Sequence, residues 1–335
     1  MNDNNHKYWH TNSGFRNPKD SAAIRGFSRS SVRWIFSRII KKPYMLGVDL
    51  PANHILPRDA ALSLLDKYKD TPSLTWLGHT TFLMSIGRLN ILTDPFLIGN
   101  VAYPWIKALK RLPCPLSFKD LPNIDILLVS HEHRDHLHHP SLKRLENKST
   151  IQPIVPLGLG KQLKRYNFKD SIELDWFDSY ELASGKVTVS AVPAAHYSSV
   201  FGKKNETLWA GFIISFYDHN KVKRKIYFAG DTDYGSFIKR DIAPYGPFDV
   251  ACIGVGGFYL PYKSRADFVH TNPEEAVETA KDINAKHLVG MHWGTARMAD
   301  ENPNELLPRM QAHTRKINYT GDISMLRIGE TIPIY

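Results

Sequence analysis

Ser130-His131-Glu132-His133-Arg134-Asp135-His136 is the stretch that decides the fold of this 335-residue chain. The apolar run Ile124–Ser130 comes directly before the histidines and predicts a buried strand that ends in them. Three imidazoles and the Asp135 carboxylate so close together are a donor set typical of zinc-like ions, and the set needs no thiolate. A solvated polar loop after a strand is the alternative interpretation.

Three further candidate ligands each end a predicted strand. His196 ends VTVSAVPAAH, Asp231 ends KIYFAGD and His292 ends HLVGMH. Each one alone fits a hydrogen-bonded core histidine or a turn aspartate about as well. With the motif they complete two open sites: His131, His133 and His196 for one ion, Asp135, His136 and His292 for the other, and Asp231 as the bridge. Two ions that share an activated water are the apparatus for hydrolysing an ester or a phosphodiester.

The chain from residue 46 to residue 335 is predicted to be one α/β domain in which strands alternate with helices. Strands are predicted at Leu74–Leu77, Phe82–Ile86, Leu89–Thr93, Ile124–Ser130, Gln152–Leu157, Ser171–Phe177, Lys186–Pro193, Trp209–Phe216, Lys225–Ala229, Asp249–Val255 and His287–His292. Helices are predicted at Pro140–Glu146, Gly158–Tyr166, Pro273–Ile283 and Asn304–His313, the third with Asn272 as its N-cap.

Residues 1–45 are interpreted as a separate basic arm. The arm holds nine Lys/Arg and two Asp, which is +7 of the formal net charge of +10. Within it, SVRWIFSRIIKK at positions 31–42 predicts an amphipathic helix whose apolar face is formed by Val32, Ile35, Phe36, Ile39 and Ile40. We expect this helix to bind an anionic membrane surface. The alternative is that the apolar face docks onto the body, and residues 1–30 are expected to be mobile or draped on it.

Composition narrows the class of protein further. Hydrophobic residues make up 42% and charged residues 23% of the chain, which excludes fibrous and wholly disordered classes. No apolar run is long enough to predict a transmembrane helix, and the first 30 residues lack the apolar region of a signal peptide. Two cysteines, Cys114 and Cys252, favour a reducing compartment. We therefore expect a cytoplasmic protein that associates peripherally with membranes.

The ordered motifs resemble a known family. HEHRDH, followed by a distant His, then GD, then His, is similar to the metallo-β-lactamase superfamily. TWLGHTTFLMSI, LTDPF, LPNIDILLVSHEHRDHL, FAGDTDY, HTNPEEAV and MHWGT also follow the order of the N-acyl-phosphatidylethanolamine phospholipase D family, over about Leu74 to Ala296. The resemblance implies an αββα sandwich with a dinuclear metal site at one edge. It also implies two Zn²⁺ ions, with another divalent metal as the alternative, and action at membranes on N-acylated phosphatidylethanolamine.

The resemblance carries the same seven ligands over to this chain, and it adds His270 as a further active-site histidine. Asp231 and His270 are therefore the expected catalytic residues. His79 and Asp94 follow strands and are expected to orient the ligating imidazoles, with local turn chemistry as the alternative. The loop residues expected to line an acyl groove, or otherwise to form an ordinary packed loop, are Phe258, Tyr259, Leu260 and Tyr262.

Two departures from the family bear on the substrate. Glu132 and Arg134 stand where its better-known members have Asn and Tyr. The loop Gly256–Phe268 also differs in detail. Neither departure touches a candidate ligand, so we expect the metal site to be retained and the acyl preference to be open.

The leading hypothesis is a zinc-dependent phosphodiesterase of phospholipase D type that produces a phosphatidic acid and an N-acylethanolamine. The alternatives are a metal-dependent nuclease, another phosphoester or lactone hydrolase of the same fold, and an inactive lipid-binding scaffold. A phospholipid is the expected substrate. Nucleic acid is not an expected partner, because the basic excess lies on the arm and not around the candidate ligands. A homodimer is left open.

Overall fold

Two seven-stranded β-sheets lie face to face in the computed structural model, which describes residues 7–21, 29–45, 47, 49–101, 105–182, 186–200, 203–262 and 269–335. Eighteen strands are formed by these residues: β1 His10–Thr11, β2 Gly14–Phe15, β3 Ser73–Trp76, β4 Phe82–Ile86, β5 Leu89–Thr93, β6 Ile126–Leu128, β7 Gln152–Pro156, β8 Ile172–Leu174, β9 Ser179–Leu182, β10 Val187–Val192, β11 Ser199–Val200, β12 Lys203–Lys204, β13 Gly211–Tyr217, β14 Lys223–Phe228, β15 Val250–Gly254, β16 His287–Met291, β17 Asp322–Ser324 and β18 Thr331–Pro333.

The two large sheets share one plan. The first has the strand order β18-β3-β4-β5-β6-β7-β8 and the second the order β17-β16-β15-β14-β13-β10-β9. In the first sheet β5 to β8 are parallel, and in the second β14 to β17 are parallel. The carboxyl ends of the parallel strands in each sheet therefore deliver their following loops to one edge, where ligand-binding loops commonly gather.

Alternating side chains divide the first sheet between two cores. Phe82 and Met84 of β4 lie in the core between the sheets, whereas Leu83 lies in a second core on the outer face. Ile126 and Leu127 of β6 divide in the same way. The continuous apolar run in the sequence is thus explained by a strand that is buried on both faces.

The described residues form six α-helices: α1 Arg29–Ile40, α2 Arg58–Lys67, α3 His139–Arg144, α4 Gly160–Leu163, α5 Pro273–Asp282 and α6 Pro303–Ile317. Ala61, Leu142 and Leu163 place α2, α3 and α4 in the outer core of the first sheet. α5 and α6 pack together on the second sheet through residues such as Ala276 and Met310. The predicted αββα sandwich is confirmed. The predicted cap is also observed, because Asn272 Oδ1 accepts from Glu275 N and Glu275 Oε2 accepts from Asn272 N.

The structure differs from the sequence predictions in its weakly signalled elements. α2 was not predicted; it begins after Pro57 and has no capping side chain, so its start carries no sequence signal. The predicted helix over 158–166 is a single α-helical turn followed by a 3-10 turn at Lys164–Tyr166. The unpredicted strands β1, β2, β9, β11, β12, β17 and β18 have two to four residues each, too few for a visible period.

Residues 7–21 are anchored on the body and not loosely draped. Trp9 is 8% exposed and belongs to the core between the sheets. Its Nε1 donates to Asp175 Oδ1 at 2.7 Å, and Lys7 Nζ donates to Asp175 Oδ2 at 2.7 Å. His10 Nε2 lies 2.8 Å from the same Oδ2 atom. The boundary at residue 45 stays a prediction, but described residues on its two sides pack together.

α1 docks on the body through the face that carries Trp34 and Arg38. Arg38 is fully buried and donates to the carbonyls of Arg297 and Ala299 and to the Asp300 carboxylate. Trp34 Nε1 donates to Met298 O at 2.8 Å. The predicted alternative, docking through the apolar face, is therefore wrong, because the exposed side chains of α1 include Ile35, Phe36, Ile39 and Ile40. The side chains of Arg29 and Val32, and the whole of Arg25, lie outside the described residues.

Among the described residues, no helix combines the length and the apolar content needed to cross a lipid bilayer.

Candidate metal centre

Loops from both sheets bring all seven candidate ligands together at one edge of the sandwich. The segment 131–136 follows β6 of the first sheet. From the second sheet, His196 follows β10, Asp231 follows β14 and His292 follows β16. Their donor atoms form overlapping groups in which all atoms lie within 4.8 Å of one another. Strand ends that are far apart in sequence thus converge on one buried cluster.

The first group consists of three imidazoles. His131 Nε2 lies 2.8 Å from His133 Nδ1, and His196 Nε2 lies 3.2 Å from the same atom. Two nitrogens bound to one tetrahedral zinc ion lie roughly 3.3 Å apart, because each Zn–N bond is about 2.0–2.1 Å. The spacing of the three nitrogens therefore fits a single ion.

The second group combines two imidazoles with a carboxylate. His136 Nε2 lies 3.6 Å and His292 Nε2 lies 3.7 Å from Asp135 Oδ2. Both Nε2 atoms are buried and make no aligned hydrogen bond, although carboxylate oxygens lie close to them. Buried polar atoms without hydrogen bonds are costly unless something else binds them. A cation held between these atoms would remove that cost.

Asp231 lies between the two groups. Its Oδ2 atom is 3.8 Å from His131 Nε2 and 3.7 Å from His196 Nε2 in the first group. The same oxygen is 3.0 Å from His136 Nε2 and 3.5 Å from His292 Nε2 in the second. One carboxylate oxygen therefore lies within 4 Å of donor atoms in both groups.

The outward nitrogens of three imidazoles fix the direction of their lone pairs. His136 Nδ1 lies 2.7 Å from Asp94 Oδ2, and His196 Nδ1 lies 3.3 Å from Val269 O. Both partners only accept, so each Nδ1 carries a proton and Nε2 is the nitrogen that can bind a cation. The Ser130 hydroxyl donates to Asp94, so His131 Nδ1 donates to the Ser130 oxygen 3.0 Å away and has the same tautomer. The residues present therefore fit divalent metal ions.

Burial keeps the first group neutral. It lowers the pKa values of His131 and His196 well below 6.5 and the pKa of His133 to about 4. Neutral imidazoles are the form that binds metal ions. The first group is therefore ready to accept an ion without first losing protons.

The second group attracts positive charge. Burial would lower the pKa of His136, but Asp231, Asp135 and Asp94 outweigh it and hold the pKa well above 6.5. For the same reason the pKa of His292 rises to about 9 despite its burial, with Asp231 as the main cause. The same carboxylates that hold protons on His136 and His292 would also attract a metal cation. Metal binding and protonation of these two rings therefore compete.

His79 and Asp94 both contact candidate ligands. His79 Nε2 lies 3.0 Å from Asp135 Oδ2, and Asp94 accepts from the Ser130 backbone N–H at 2.7 Å as well as contacting His136. His79, Asp94 and His292 have φ values of 56°, 35° and 61°, in the left-handed region that non-glycine residues seldom adopt. Such strain is typical of functional sites, where surrounding contacts hold it in place.

His270 lies at the rim of the cluster. Its Nδ1 atom is 3.8 Å from Asp231 Oδ2, and its side chain is 18% exposed, more than those of the ligands around it. Burial lowers its pKa to about 3, so the ring is neutral and keeps one N–H donor. The structure also groups His270 with His196 and Asp231 as three residues able to hold an ion.

Replacing His270 with Ala is expected to lower kcat roughly 100-fold, the usual scale for losing a side chain that relays a proton. Metal content should stay unchanged, because the two ligand groups do not need this ring. Metal analysis and steady-state kinetics on the same sample check both statements. A His270→Ala protein that has lost an ion would instead make His270 a ligand.

The predicted groove loop divides between interior and surface. Phe258 is 7% exposed, belongs to the larger hydrophobic core and lies against the Arg309 guanidinium of α6. Leu260 is buried with Ala299. Tyr259 is 48% exposed, and Tyr262 is partly buried against α1. A role in lining a groove stays a prediction for the two tyrosines, because the other two side chains are packed inside.

Three residues that contact candidate ligands were not predicted from the sequence. Asn17 Oδ1 accepts from the backbone N–H of His196 at 3.0 Å. The Tyr197 ring lies 4.7 Å from the His133 ring, and Thr80 Oγ1 lies 3.2 Å from His136 Nδ1. Tyr197 and Thr80 are direct neighbours of His196 and His79, which is a usable signal. Asn17 is almost 180 residues away from His196 and carries no such signal.

Asn17→Leu is expected to lower the metal affinity of the site that contains His196 by roughly 10- to 100-fold. This is the range seen when a residue that holds a ligand in place is lost. Asn17→Asp keeps an acceptor for His196 N–H and should restore most of the affinity. Titration of the metal-free protein with Co²⁺, followed by its visible spectrum, checks this. Equal affinities in both variants would show that Asn17 does not position His196.

Comparison with known proteins places the chain in a family. Residues 89–293 match the model of the beta-lactamase superfamily domain. An uncharacterized protein of Mycobacterium tuberculosis is 32% identical over 317 residues, which cover 88% of this chain and 82% of that protein. The N-acyl-phosphatidylethanolamine-hydrolyzing phospholipase D 1 of Caenorhabditis elegans is 34% identical over 235 residues, 67% of this chain and 64% of its own length.

A solved structure supports the fold. The structure of a possible metal-dependent hydrolase from Veillonella parvula superposes with a TM-score of 0.61 at 18% identity, over 78% of this chain and 99% of that one. The chain therefore belongs to the metallo-β-lactamase superfamily and is a metal-dependent hydrolase of that fold.

Proposed function

We propose that this protein is a phosphodiesterase of phospholipase D type that holds two Zn²⁺ ions. It hydrolyses N-acyl-phosphatidylethanolamine, or a related phospholipid, to a phosphatidic acid and an N-acylethanolamine. The observation that carries the proposal is the position of Asp231 Oδ2, within 4 Å of donor atoms in both ligand groups. The name of the nematode relative supports the choice of substrate.

The two ligand groups would hold the ions with different donor atoms. Two bound divalent ions supply a water of lowered pKa and neutralise charge on the phosphoryl oxygens. His131, His133 and His196 contribute neutral nitrogens and leave the charge of their site high. Asp135 and Asp231 add negative charge to the second site. The two sites therefore differ in donor set. The imidazole nitrogens present in both sites favour metals of borderline softness over magnesium or calcium.

The reaction exchanges one P–O bond for another. The oxygen of water forms a bond to phosphorus, and the bond from phosphorus to the ethanolamine oxygen breaks. The leaving oxygen keeps the electron pair and takes up a proton. His270 lies at the rim with Nδ1 3.8 Å from Asp231 Oδ2, so its second ring nitrogen, Nε2, is placed to take the proton that the attacking water releases and to pass it to the leaving oxygen.

Glu132 does not enter the ligand groups, although it lies between two candidate ligands. Its carboxylate is buried and accepts from Gln162 Nε2 at 2.5 Å. The Glu132 side chain, which differs from the residue found in the family, is therefore turned towards α4 and away from the candidate ligands. It leaves the proposed metal chemistry unchanged.

A substrate panel tests the proposal. We expect metal-loaded protein to turn over N-acyl-phosphatidylethanolamine at least about 100-fold faster than phosphatidylcholine, single-stranded RNA or a lactone. A chromogenic phosphodiester should be cleaved slowly, because it contains the phosphodiester bond but not the acyl chains of a phospholipid. Faster turnover of RNA than of any phospholipid would establish the nuclease alternative instead, and faster turnover of the lactone would reject phosphodiester chemistry.

A further inference from the structure

The solvent-facing side of α1 is apolar. Phe36 is 65% exposed and Ile40 is 81% exposed, and they lie one helical turn apart. Ile35 and Ile39, at 37% and 44%, form a second row beside them. These four residues are one continuous stripe, because positions three and four apart share a helix face. We call them the α1 stripe. A contiguous apolar patch on a surface marks an interaction site more often than a stray side chain does.

Specific contacts hold the α1 stripe outward. The opposite face of the helix is fixed by the buried Arg38 guanidinium, which binds two carbonyls and Asp300, and by the Trp34 indole. Ser37 Oγ also lies 3.3 Å from the Tyr262 hydroxyl. An amphipathic helix that docks on a soluble body normally buries its apolar face. Here Arg38 and Trp34 face the body in its place, so the orientation is set by directed hydrogen bonds and by the packing of Trp34.

Positive charge surrounds the α1 stripe. Arg33 on the helix and Lys42 just after it are exposed. α1 packs against the 3-10 turn Lys107–Leu109, and Lys107 and Lys110 of that region are exposed as well. The nearby carboxylate of Asp300 is already engaged by Arg38 and by Lys41. An apolar stripe with cations around it complements an anionic lipid surface.

A series of contacts through two loops connects α1 with the metal cluster. The segment that binds Arg38 continues to Asp300, whose N–H donates to Tyr259 O at 2.8 Å, and to Glu301, which accepts from Gly257 N–H at 2.7 Å. Gly257 packs on the His292 imidazole, where an added Cβ would lie 3.1 Å from the ring. A surface bound at α1 would therefore lie beside the loop that borders the candidate ligands.

We propose that α1 is an interfacial helix that inserts the α1 stripe into an anionic phospholipid leaflet and so places the metal centre at the lipid surface. The proposal rests on the proposed function for the choice of lipid as substrate. A second copy of the chain is the rival occupant. A symmetric dimer through this face would bring Arg33, Lys42 and the neighbouring lysines of two copies together, and like charges oppose that contact.

Vesicle sedimentation tests the proposal. The full chain should sediment with vesicles of phosphatidylglycerol and phosphatidylcholine at low salt, and bind weakly to phosphatidylcholine alone or at high salt. Phe36→Ser with Ile40→Ser should reduce binding to the mixed vesicles by roughly tenfold or more, because two large apolar side chains no longer leave water. The matched control is Tyr217→Ser with Val222→Ser, which removes two side chains that are 57% and 45% exposed elsewhere. This control should bind as the unaltered chain does.

Two measurements keep the outcomes separate. All variants should show unchanged thermal unfolding and unchanged cleavage of a soluble chromogenic phosphodiester, since the α1 stripe contacts no ligand. If no phosphodiester is cleaved but the stripe variant still loses vesicle binding, the proposed function fails and the interfacial helix stands. Full vesicle binding by the stripe variant overturns the proposal. So does an ultracentrifugation result in which the chain is a dimer and the stripe variant a monomer.

Discussion

Replacing Asp231 with Asn is expected to remove or severely weaken both metal ions at once and to lower kcat/KM by roughly 1,000-fold or more. The reason is geometric, since the Oδ2 atom lies close to donor atoms of both ligand groups. Asparagine keeps the shape and loses the charge that balances two cations. Metal analysis by mass spectrometry, with activity measured on the same sample, checks the expectation.

Asp249→Asn provides the matched control for Asp231→Asn. Asp249 is also a buried carboxylate of the second sheet, but it precedes β15 and is paired with Arg224 and Lys286, away from the cluster. Its loss should reduce stability and leave metal content intact. Loss of only one ion in Asp231→Asn would contradict the bridging role, and retention of both would contradict the ligand assignment.

A chain that starts at Leu46 is expected to be close to unfolding. Removing residues 1–45 takes Trp9 out of the core and leaves the buried Asp175 without its donors Lys7 and Trp9. It also leaves Asp300 without Arg38. The single substitution Trp9→Ala should already lower the free energy of unfolding by about 3–5 kcal/mol. That is a large part of the 5–15 kcal/mol typical of a folded protein.

Urea denaturation of the metal-loaded protein measures the effect of Trp9→Ala. Phe36→Ala is the matched control, because Phe36 is a large aromatic residue of the same arm that is 65% exposed. Its removal should change the free energy of unfolding by less than about 0.5 kcal/mol. Equal, small effects of the two substitutions would mean that the arm is dispensable for folding.

The candidate ligands could be predicted because each follows an apolar run. Strands of the two sheets deliver their carboxyl ends to one edge, so His131, Asp231 and His292 share a place in the fold that the sequence pattern reveals. The donor atoms of His131, His133 and His196 lie together in one group, and those of Asp135, His136 and His292 lie together with His79 in another. Their assignment as ligands of two separate ions stays a prediction.

The orientation of α1 could not be predicted, because periodicity identifies an apolar face and not what covers it. Arg38 is buried only because the carbonyls of Arg297 and Ala299 and the Asp300 carboxylate surround it. These residues are about 260 positions away in sequence. Contacts of Trp9 with Asp175 and of Asn17 with His196 have the same character, since both depend on long-range packing.

Hydrolysis of N-acyl-phosphatidylethanolamine in ¹⁸O-labelled water by the metal-loaded protein tests the central claim most directly. If water attacks phosphorus and the bond to the ethanolamine oxygen breaks, the label appears in phosphatidic acid and not in the N-acylethanolamine. Mass spectrometry of the two products shows this in one experiment. Label in the N-acylethanolamine or in a released fatty acid, or no turnover by protein that holds two ions, would contradict the account.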